Sequence, residues 1–436
     1  MSDPTAPGFE SRHAHWLGLS EAIHRILGSA RPLEAHEVPV ASALGAALSE
    51  SLIAEVTLPP WDNSAMDGYA VRAEDLRGAS PEGPVTLNVS GAVHAGEPAS
   101  EPVGPGEAIR IMTGAPVPPG ADSVVRVEDT DREAEPGRIV VFADRDVGRN
   151  IRPGGEDLQA GDTVVEKGQA VTPGMVAALA SLGRMTAPVH RAASVAILPT
   201  GDELRSPEGY DDVRAGRAIP ESNSPMLAAA VAAIGGSPLP LSIAPDDPDI
   251  LRQHIEDAAE ADVLITIGGA SMGEADLVKR VLDSMGFEVD FWRVRIRPGS
   301  PFSFGWLPRG DRMQPVFGLP GNPTSAFVTF ELFVRPFLLA LAGHAHRQRR
   351  VLRATAGERL SGPAELTYLL RCRLEQAPEG PRVRLSGPQG SGLVHPLVGA
   401  AALAIVPEAK AHIEPGEPVD VILLDDAPGF EAPEVE

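Results

Sequence analysis

Residues 262–276 read DVLITIGGASMGEAD. From Val263 to Ile267 every side chain is aliphatic or β-branched, and Gly268-Gly269 closes the run. A stretch that short and that apolar predicts a strand buried on both faces. A helix is expected from about 274 to 285. The same grammar repeats upstream. Residues 194–198 read as a strand, and Ser224-Pro225 offers an N-cap followed by Pro at the first helical position. That helix should end at Gly235-Gly236, before a strand at 239–243 and a helix opened by Asp247-Pro248 that runs to about 261. Strand and helix in alternation predict a mostly parallel sheet with helices on both faces.

Outward from this core the pattern changes. Residues 20–27, 41–54 and 173–182 carry apolar residues at helical spacing. From 71 to 168 the chain reads as short strands and turns, among them 85–89, 108–112, 123–127 and 139–142. Past a basic linker at 344–350, β-like segments return at 366–375, 382–385 and 419–424, predicting a small separate β domain. The most apolar stretch, 326–341, is interrupted by Glu331, Arg335 and Pro336 and reads as a buried, kinked helix rather than a membrane span.

The chain has 436 residues, enough for several domains. Its 45 glycines and 43 prolines exceed the usual share of roughly 12% and imply many turns. A formal charge of −23 argues against nonspecific binding to nucleic acid or anionic lipid. The single cysteine, Cys372, forbids an internal disulfide and any multi-cysteine metal site, and the 11 histidines show no zinc spacing. Residues 1–18 show no signal peptide, so the cytoplasm is the expected compartment.

In open α/β sheets ligands bind beyond the carboxyl ends of the strands. Three loops fall there: 199–203 (PTGDE), 268–276 (GGASMGEAD) and 318–325 (GLPGNPTS). Glycines admit a ligand to the backbone, and helix starts offer free N–H groups to phosphate. Glu203, Glu274 and Asp276 would repel a bare anion, so a divalent cation between them and the phosphate is the natural remedy. The plainer readings stay open: Glu274 and Asp276 also suit a helix's first turn, and Gly321-Asn322-Pro323 also suits a turn and cap. No P-loop, dinucleotide fingerprint or nucleophile elbow is present. Alternation over 291–300 puts Arg293, Arg295 and Arg297 on one face of an expected strand, either an oxyanion stripe or surface ion pairs.

Taken together, 62–70 (DNSAMDGYA), 110–116 (RIMTGAP), the Gly-Glu-Asp ending at Asp157, 200–204 (TGDEL), Ser222-Asn223, 268–276 and 318–323 (GLPGNP) resemble the MoeA family of molybdopterin molybdenumtransferases. The family includes the gephyrin E domain and its plant counterpart. The resemblance spans nearly the whole chain in the family's order. It implies a multi-domain α/β plus β protein. A discontinuous helical part would comprise 11–60 and 160–192, and a β-rich part 61–159. A MogA-like α/β domain would follow at 193–345, and a C-terminal β-barrel at 346–428.

The resemblance also implies a homodimer, a MogA-type adenylyltransferase as functional partner, Mg²⁺ as cofactor, and insertion of molybdate into adenylyl-molybdopterin with release of AMP. Gly268, Gly269, Ser271, Gly273 and Asp276 would hold the adenylate phosphate and magnesium, with Glu203 as a second metal ligand. Thr200, Gly201, Asp202, Asn223 and Glu274 would flank them, and Asp246 matches a further acidic position. Arg293, Arg297, Pro298, Ser300, Pro320, Asn322 and Ser325 match the region around molybdate. Asp67, Thr113 and Asp157 would come from the partner subunit. The chain departs from the family at Arg293, Arg297 and Ser300, where lysines are usual, and at Pro199, Glu221, Ala270 and Met272. Ser300 removes a charge. The departures leave open a paralogue preferring another oxyanion such as tungstate, or a non-catalytic scaffold binding nucleotide or pterin. A generic metal-dependent nucleotide phosphohydrolase is the third reading.

Overall fold

The computed structural model describes residues 16–96, 101–268, 277–362 and 365–424. By internal contacts the chain divides into two units. One comprises Met1–Glu50, Lys167–Val176 and Thr186–Glu436, the other Ser51–Glu166 and Ala177–Met185.

The first unit is built on a six-stranded sheet. In chain order its elements are β1 (Ser194–Pro199), α1 (Asn223–Ala233), β2 (Ser237–Pro240), α2 (Pro248–Asp257), β3 (Val263–Ile267), α3 (Leu277–Ser284), β4 (Glu288–Trp292), β5 (Ser303–Arg309), β6 (Arg312–Leu319), α4 (Pro323–Thr329) and α5 (Arg335–Leu341). The strand order is β2-β1-β3-β6-β5-β4. The first four run parallel, while β5 and β4 add an antiparallel hairpin edge. The sheet is thus mostly parallel, as the alternation predicts.

Both faces are covered, which is why β3 reads as an unbroken apolar run. Val195, Ile197, Val263, Ile265, Phe317 and Leu319 pack into one core with α1, α4 and α5 and with the N-terminal helix Leu19–Ser29. Ala196, Leu198, Leu264 and Val316 pack into the other with α2 and α3. The period of two along each strand sends neighbours to opposite cores. α4 and α5 are one continuous helical run, joined through a π-helical stretch at Phe330–Val334. Pro336 brings no N–H to the ladder, and the residues before it take the wider register instead of breaking. This run is the one described helix long and apolar enough to cross a membrane, and it is 89% buried inside the fold.

The C-terminal strands Val351–Ala356, Thr367–Ala377, Gly380–Leu385, Ala402–Val406 and Pro418–Leu423 pair in a closed ring, a small β-barrel. The second unit holds a five-stranded sheet in the order Ser123–Arg126, Gly68–Val71, Glu107–Ile111, Val85–Val93, Arg138–Val141.

Two of the expected elements do not form. Residues 41–54 are not a helix: a 3₁₀ turn at Val40–Ser42 gives way to isolated bridges from Ala47 to Ala170 and from Leu48 to Val189. Gly45 sits at φ +80°, and its N–H and that of Leu48 go to Val171 and Gln169 rather than along a helix. The strand expected over 291–300 is also broken. β4 ends at Trp292, Arg293 takes φ +76°, and Ile296–Arg297 pairs with Thr367–Tyr368 of the barrel instead.

Candidate active site

The carboxyl ends of β1, β3 and β6 bring the predicted loops together. Thr200 is buried, and both its N–H and its hydroxyl donate to the Ile267 carbonyl, at 3.0 and 3.2 Å. The β1 loop is thereby fastened to the end of β3. Gly268 follows with φ +95°, and its N–H donates to the Leu319 carbonyl at 3.1 Å, which joins the third loop. A Cβ there would lie 2.9 Å from the Thr200 hydroxyl oxygen, so only glycine fits both the angle and the gap. Gly321 packs against Gly268, 3.7 Å from its Cα by the same measure.

Asn223, 7% exposed, stands at the start of α1. Its side-chain N–H donates to the Gly321 carbonyl at 2.7 Å, while its Oδ1 is buried and without a partner. The helix start differs from the sequence expectation, since Ser224 does not cap it. Glu221 does, accepting from the N–H groups of Asn223 and Ser224 at 2.9 and 2.8 Å.

Three exposed carboxylates rim this crevice. Asp202 accepts from the N–H of Asp246 at 3.1 Å, and Glu203 adjoins them. Partial desolvation, with the charges of Asp202 and Glu203, pushes the Asp246 carboxyl above the ordinary aspartate range. Repulsion of this kind marks a place suited to a cation. Among the described residues no three such groups form a closed metal cage. Gly269, Ser271, Gly273, Glu274 and Asp276 lie outside the described residues.

Beyond Pro320, which is buried, Asn322 donates to the Ser391 hydroxyl at 3.0 Å. Thr324 donates to the Ser391 and Leu393 carbonyls, and Ser325 is 4% exposed. The 297–300 turn lies against them, with Gly299 directed at Ser325 and Thr329. Arg297 is exposed near the Tyr368 ring, and the peptide joining it to Pro298 is cis. The Ser300 hydroxyl donates to the Ile296 carbonyl, so it serves the turn.

The three arginines do not form a stripe. Val294 and Ile296 are buried between them, as alternation demands, but the arginines diverge. Arg293 lies over the Trp16 ring, while Arg295 donates to the Trp16 carbonyl at 2.6 Å and to Glu408 at 3.1 Å. Of the three, Arg297 alone adjoins the turn that packs on Ser325.

In the second unit Asp67 ends the loop before Gly68–Val71, and Thr113 follows the neighbouring strand Glu107–Ile111. The Thr113 N–H and hydroxyl both donate to one Asp67 oxygen at 2.7 Å, and these bonds hold its carboxyl below the ordinary aspartate range. Gly68 is forced by packing, because a Cβ would meet the Val125 carbonyl oxygen at 1.9 Å. Asp157 lines an open cavity of about 680 Å³ with Pro59, Trp61, Asn63 and Arg152.

Some residues escaped the sequence reading. Glu221 could have been found as an acid just ahead of a helix. Arg371 could not: it is fully buried, donates to the Pro388 and Gly390 carbonyls, and leaves Nε and Nη1 without partners. The loop it holds is the one that presents Ser391 to Asn322.

Family models match three consecutive stretches. The MoeA N-terminal region (domains I and II) covers 17–183, the probable molybdopterin binding domain 196–340, and the MoeA C-terminal region (domain IV) 353–424. Molybdopterin molybdenumtransferase 2 of Mycobacterium tuberculosis is 36% identical over 92% of this chain and 96% of its own. The molybdopterin molybdenumtransferase of Synechococcus elongatus is 35% identical over 93% and 99%. The crystal structure of the molybdopterin biosynthesis moeA protein of Pyrococcus horikoshii superposes with TM-score 0.80 at 30% identity, covering 94% of this chain and all of that one.

Proposed function

The chain belongs to the MoeA family of molybdopterin molybdenumtransferases, enzymes of molybdenum cofactor biosynthesis, and we propose that its reaction is the magnesium-dependent insertion of molybdate into adenylyl-molybdopterin with release of AMP. The observation that carries this reading is the convergence of Thr200, Gly268, Gly321 and Asn223 beside the carboxylates Asp202, Glu203 and Asp246.

The residues divide the work by their chemistry. Gly268 lets the substrate's phosphate lie against bare backbone. The unpartnered Asn223 Oδ1 accepts an N–H of the base or pterin, while Nδ2 keeps the Gly321 loop in place. Carboxylates are the hard oxygen donors that magnesium prefers, and the crowding at Asp246 fits a cation in their midst. Glu203 and Asp276 would hold it, with Asp202 and Asp246 adding negative charge around it. When bound, the ion neutralises phosphate oxygens and draws electrons from the phosphoanhydride. Arg297 and Ser325 receive molybdate, with the buried Arg371 behind Ser391 adding positive charge that Ser300 does not supply. Asp67, Thr113 and Asp157 complete the site from the second subunit of a homodimer.

The test is incubation of the purified protein with adenylyl-molybdopterin, magnesium and molybdate. AMP should appear only when molybdate is present. AMP release indifferent to molybdate, or none at all, refutes the reading. Tungstate in place of molybdate reports the oxyanion preference.

A further inference from the structure

The α/β unit contains a second cavity, of about 570 Å³, that the proposed reaction does not use. Two helices set its position. α1 ends there at Ala233–Gly235, and α5 ends there at Leu339 and Ala342. These helical runs start at the active site, α1 with Asn223 and α4–α5 just after Asn322. The cavity therefore sits at the far ends of the two runs that carry active-site residues.

His36, His190, His344, His346 and Arg335 line it, and among the described residues no acidic one does. In a chain with 60 acidic residues and a charge of −23 that is a local reversal of sign. Val38, Leu44, Val189, Ile234 and Leu339 supply apolar lining. Glu331 is shared by two guanidinium groups, Arg349 at 2.9 and 3.2 Å and Arg335 at 3.9 Å, so the charge around it stays net positive.

One imidazole has capacity to spare, and a second is buried beside Arg335. His190 Nδ1 lies 2.6 Å from the Leu33 carbonyl, which only accepts, so Nδ1 bears a proton. Nε2 then points elsewhere, buried and without a partner. His344 is 9% exposed, and burial together with Arg335 holds its imidazole below the ordinary histidine range. These side chains are not needed as helix caps. Gly343 at φ +80° closes α5, with the His344 N–H on the Leu339 carbonyl, and the Gly236 N–H closes α1 on Val231. Nor are they a metal cage, since no three ligating groups come close enough among the described residues.

We propose that this cavity binds a small organic anion with an apolar body, its charged group held by Arg335, His190 and His344 and its body lying against Leu44, Val189 and Ile234. The volume lies within the usual range for small-ligand sites, about 300–1,000 Å³. A bound anion would offset the burial and the Arg335 charge that hold the His344 imidazole below its ordinary range.

The test is calorimetric titration of the full-length protein with 1-naphthoate, and with acetate as the comparator lacking an apolar body. Naphthoate should bind once per chain, at least about tenfold more tightly than acetate. Its affinity should be higher at pH 6 than at pH 8, because an anion beside His344 favours the protonated imidazole that burial and Arg335 otherwise disfavour. His344→Gln should weaken binding about tenfold, and His36→Gln, at an exposed position where folding is safe, about threefold. Absence of binding at millimolar naphthoate overturns the proposal. So does equal affinity for acetate, or wild-type affinity in both variants. None of these results depends on whether the protein releases AMP, so this site and the proposed reaction stand or fall separately.

Discussion

Asp246 shows how a single side chain carries information that spacing alone does not. The sequence places it after a β-like segment, one acid among many. The fold sets its N–H on Asp202 and brings Glu203 close, which raises its proton affinity. The consequence for stability has a definite sign. A carboxyl whose folded pKa is raised binds its proton more tightly when folded, so its charged form works against folding at neutral pH. Asp246→Asn is therefore expected to raise the melting temperature at pH 7. The difference from wild type should shrink as the pH falls toward the ordinary aspartate value of 3.8. If Asp246 helps to hold magnesium, the same variant should need more magnesium for half-maximal AMP release. Calorimetric melting and a magnesium titration check the two halves. A variant less stable at pH 7, with an unchanged magnesium requirement, contradicts both. Residues such as Thr200 and Gly268 were legible because a glycine after an apolar run announces a strand end. Ser391 and Arg371 were not, because what they hold lies close only after folding.

Between residue and domain lies the segment from Arg293 to Ser300. Its alternation was real, since Val294 and Ile296 are fully buried. What alternation does not encode is direction along the chain. A left-handed Arg293 turns the backbone, so three arginines that should share a face serve three places. Arg295 ties Trp16 and Glu408 to the sheet, whereas Arg297 lies by the Tyr368 ring and leads into the Gly299 turn that packs on Ser325. The two should separate on substitution. Arg295→Ala removes charge-assisted bonds and should lower unfolding free energy by about 1–2 kcal/mol, with the KM for molybdate unchanged. Arg297→Ala should leave stability within about 0.5 kcal/mol and raise that KM severalfold. Urea unfolding and molybdate-dependent AMP release measure both, and a raised molybdate KM in Arg295→Ala would restore the stripe. The misread helix at 41–54 has a related cause. Helical spacing is weak evidence over a short stretch, and here Gly45 and bridges to residues distant in sequence supply the backbone's partners instead.

At the scale of the whole molecule, the motif residues fall on two contact units. Thr200, Asn223, Gly268 and Asn322 belong to one, and Asp67, Thr113 and Asp157 to the other. The division of the chain between a mostly parallel sheet, a closed barrel and a β-rich unit follows the composition shifts read in the sequence. A site shared between subunits would not be written in local pattern, because no periodicity reports on a partner chain. The proposed homodimer, with each site built from the sheet of one subunit and the β-rich unit of the other, makes a quantitative prediction. Asn223→Ala and Asp67→Ala should each be nearly inactive alone. Unfolded together in equal amounts and refolded, half the dimers should be mixed. In a mixed dimer one site receives both damaged halves and the other receives both intact halves. Activity should then return to about a quarter of wild type, because half the dimers have one working site of two. If each site were built within a single subunit, every site in the mixture would contain one damaged residue and no activity would return. Mixing the two folded variants without refolding controls for contamination, since subunits that do not exchange cannot complement. Recovery of AMP release only after refolding therefore locates Asp67 across the dimer from Asn223, and its absence places them in the same chain.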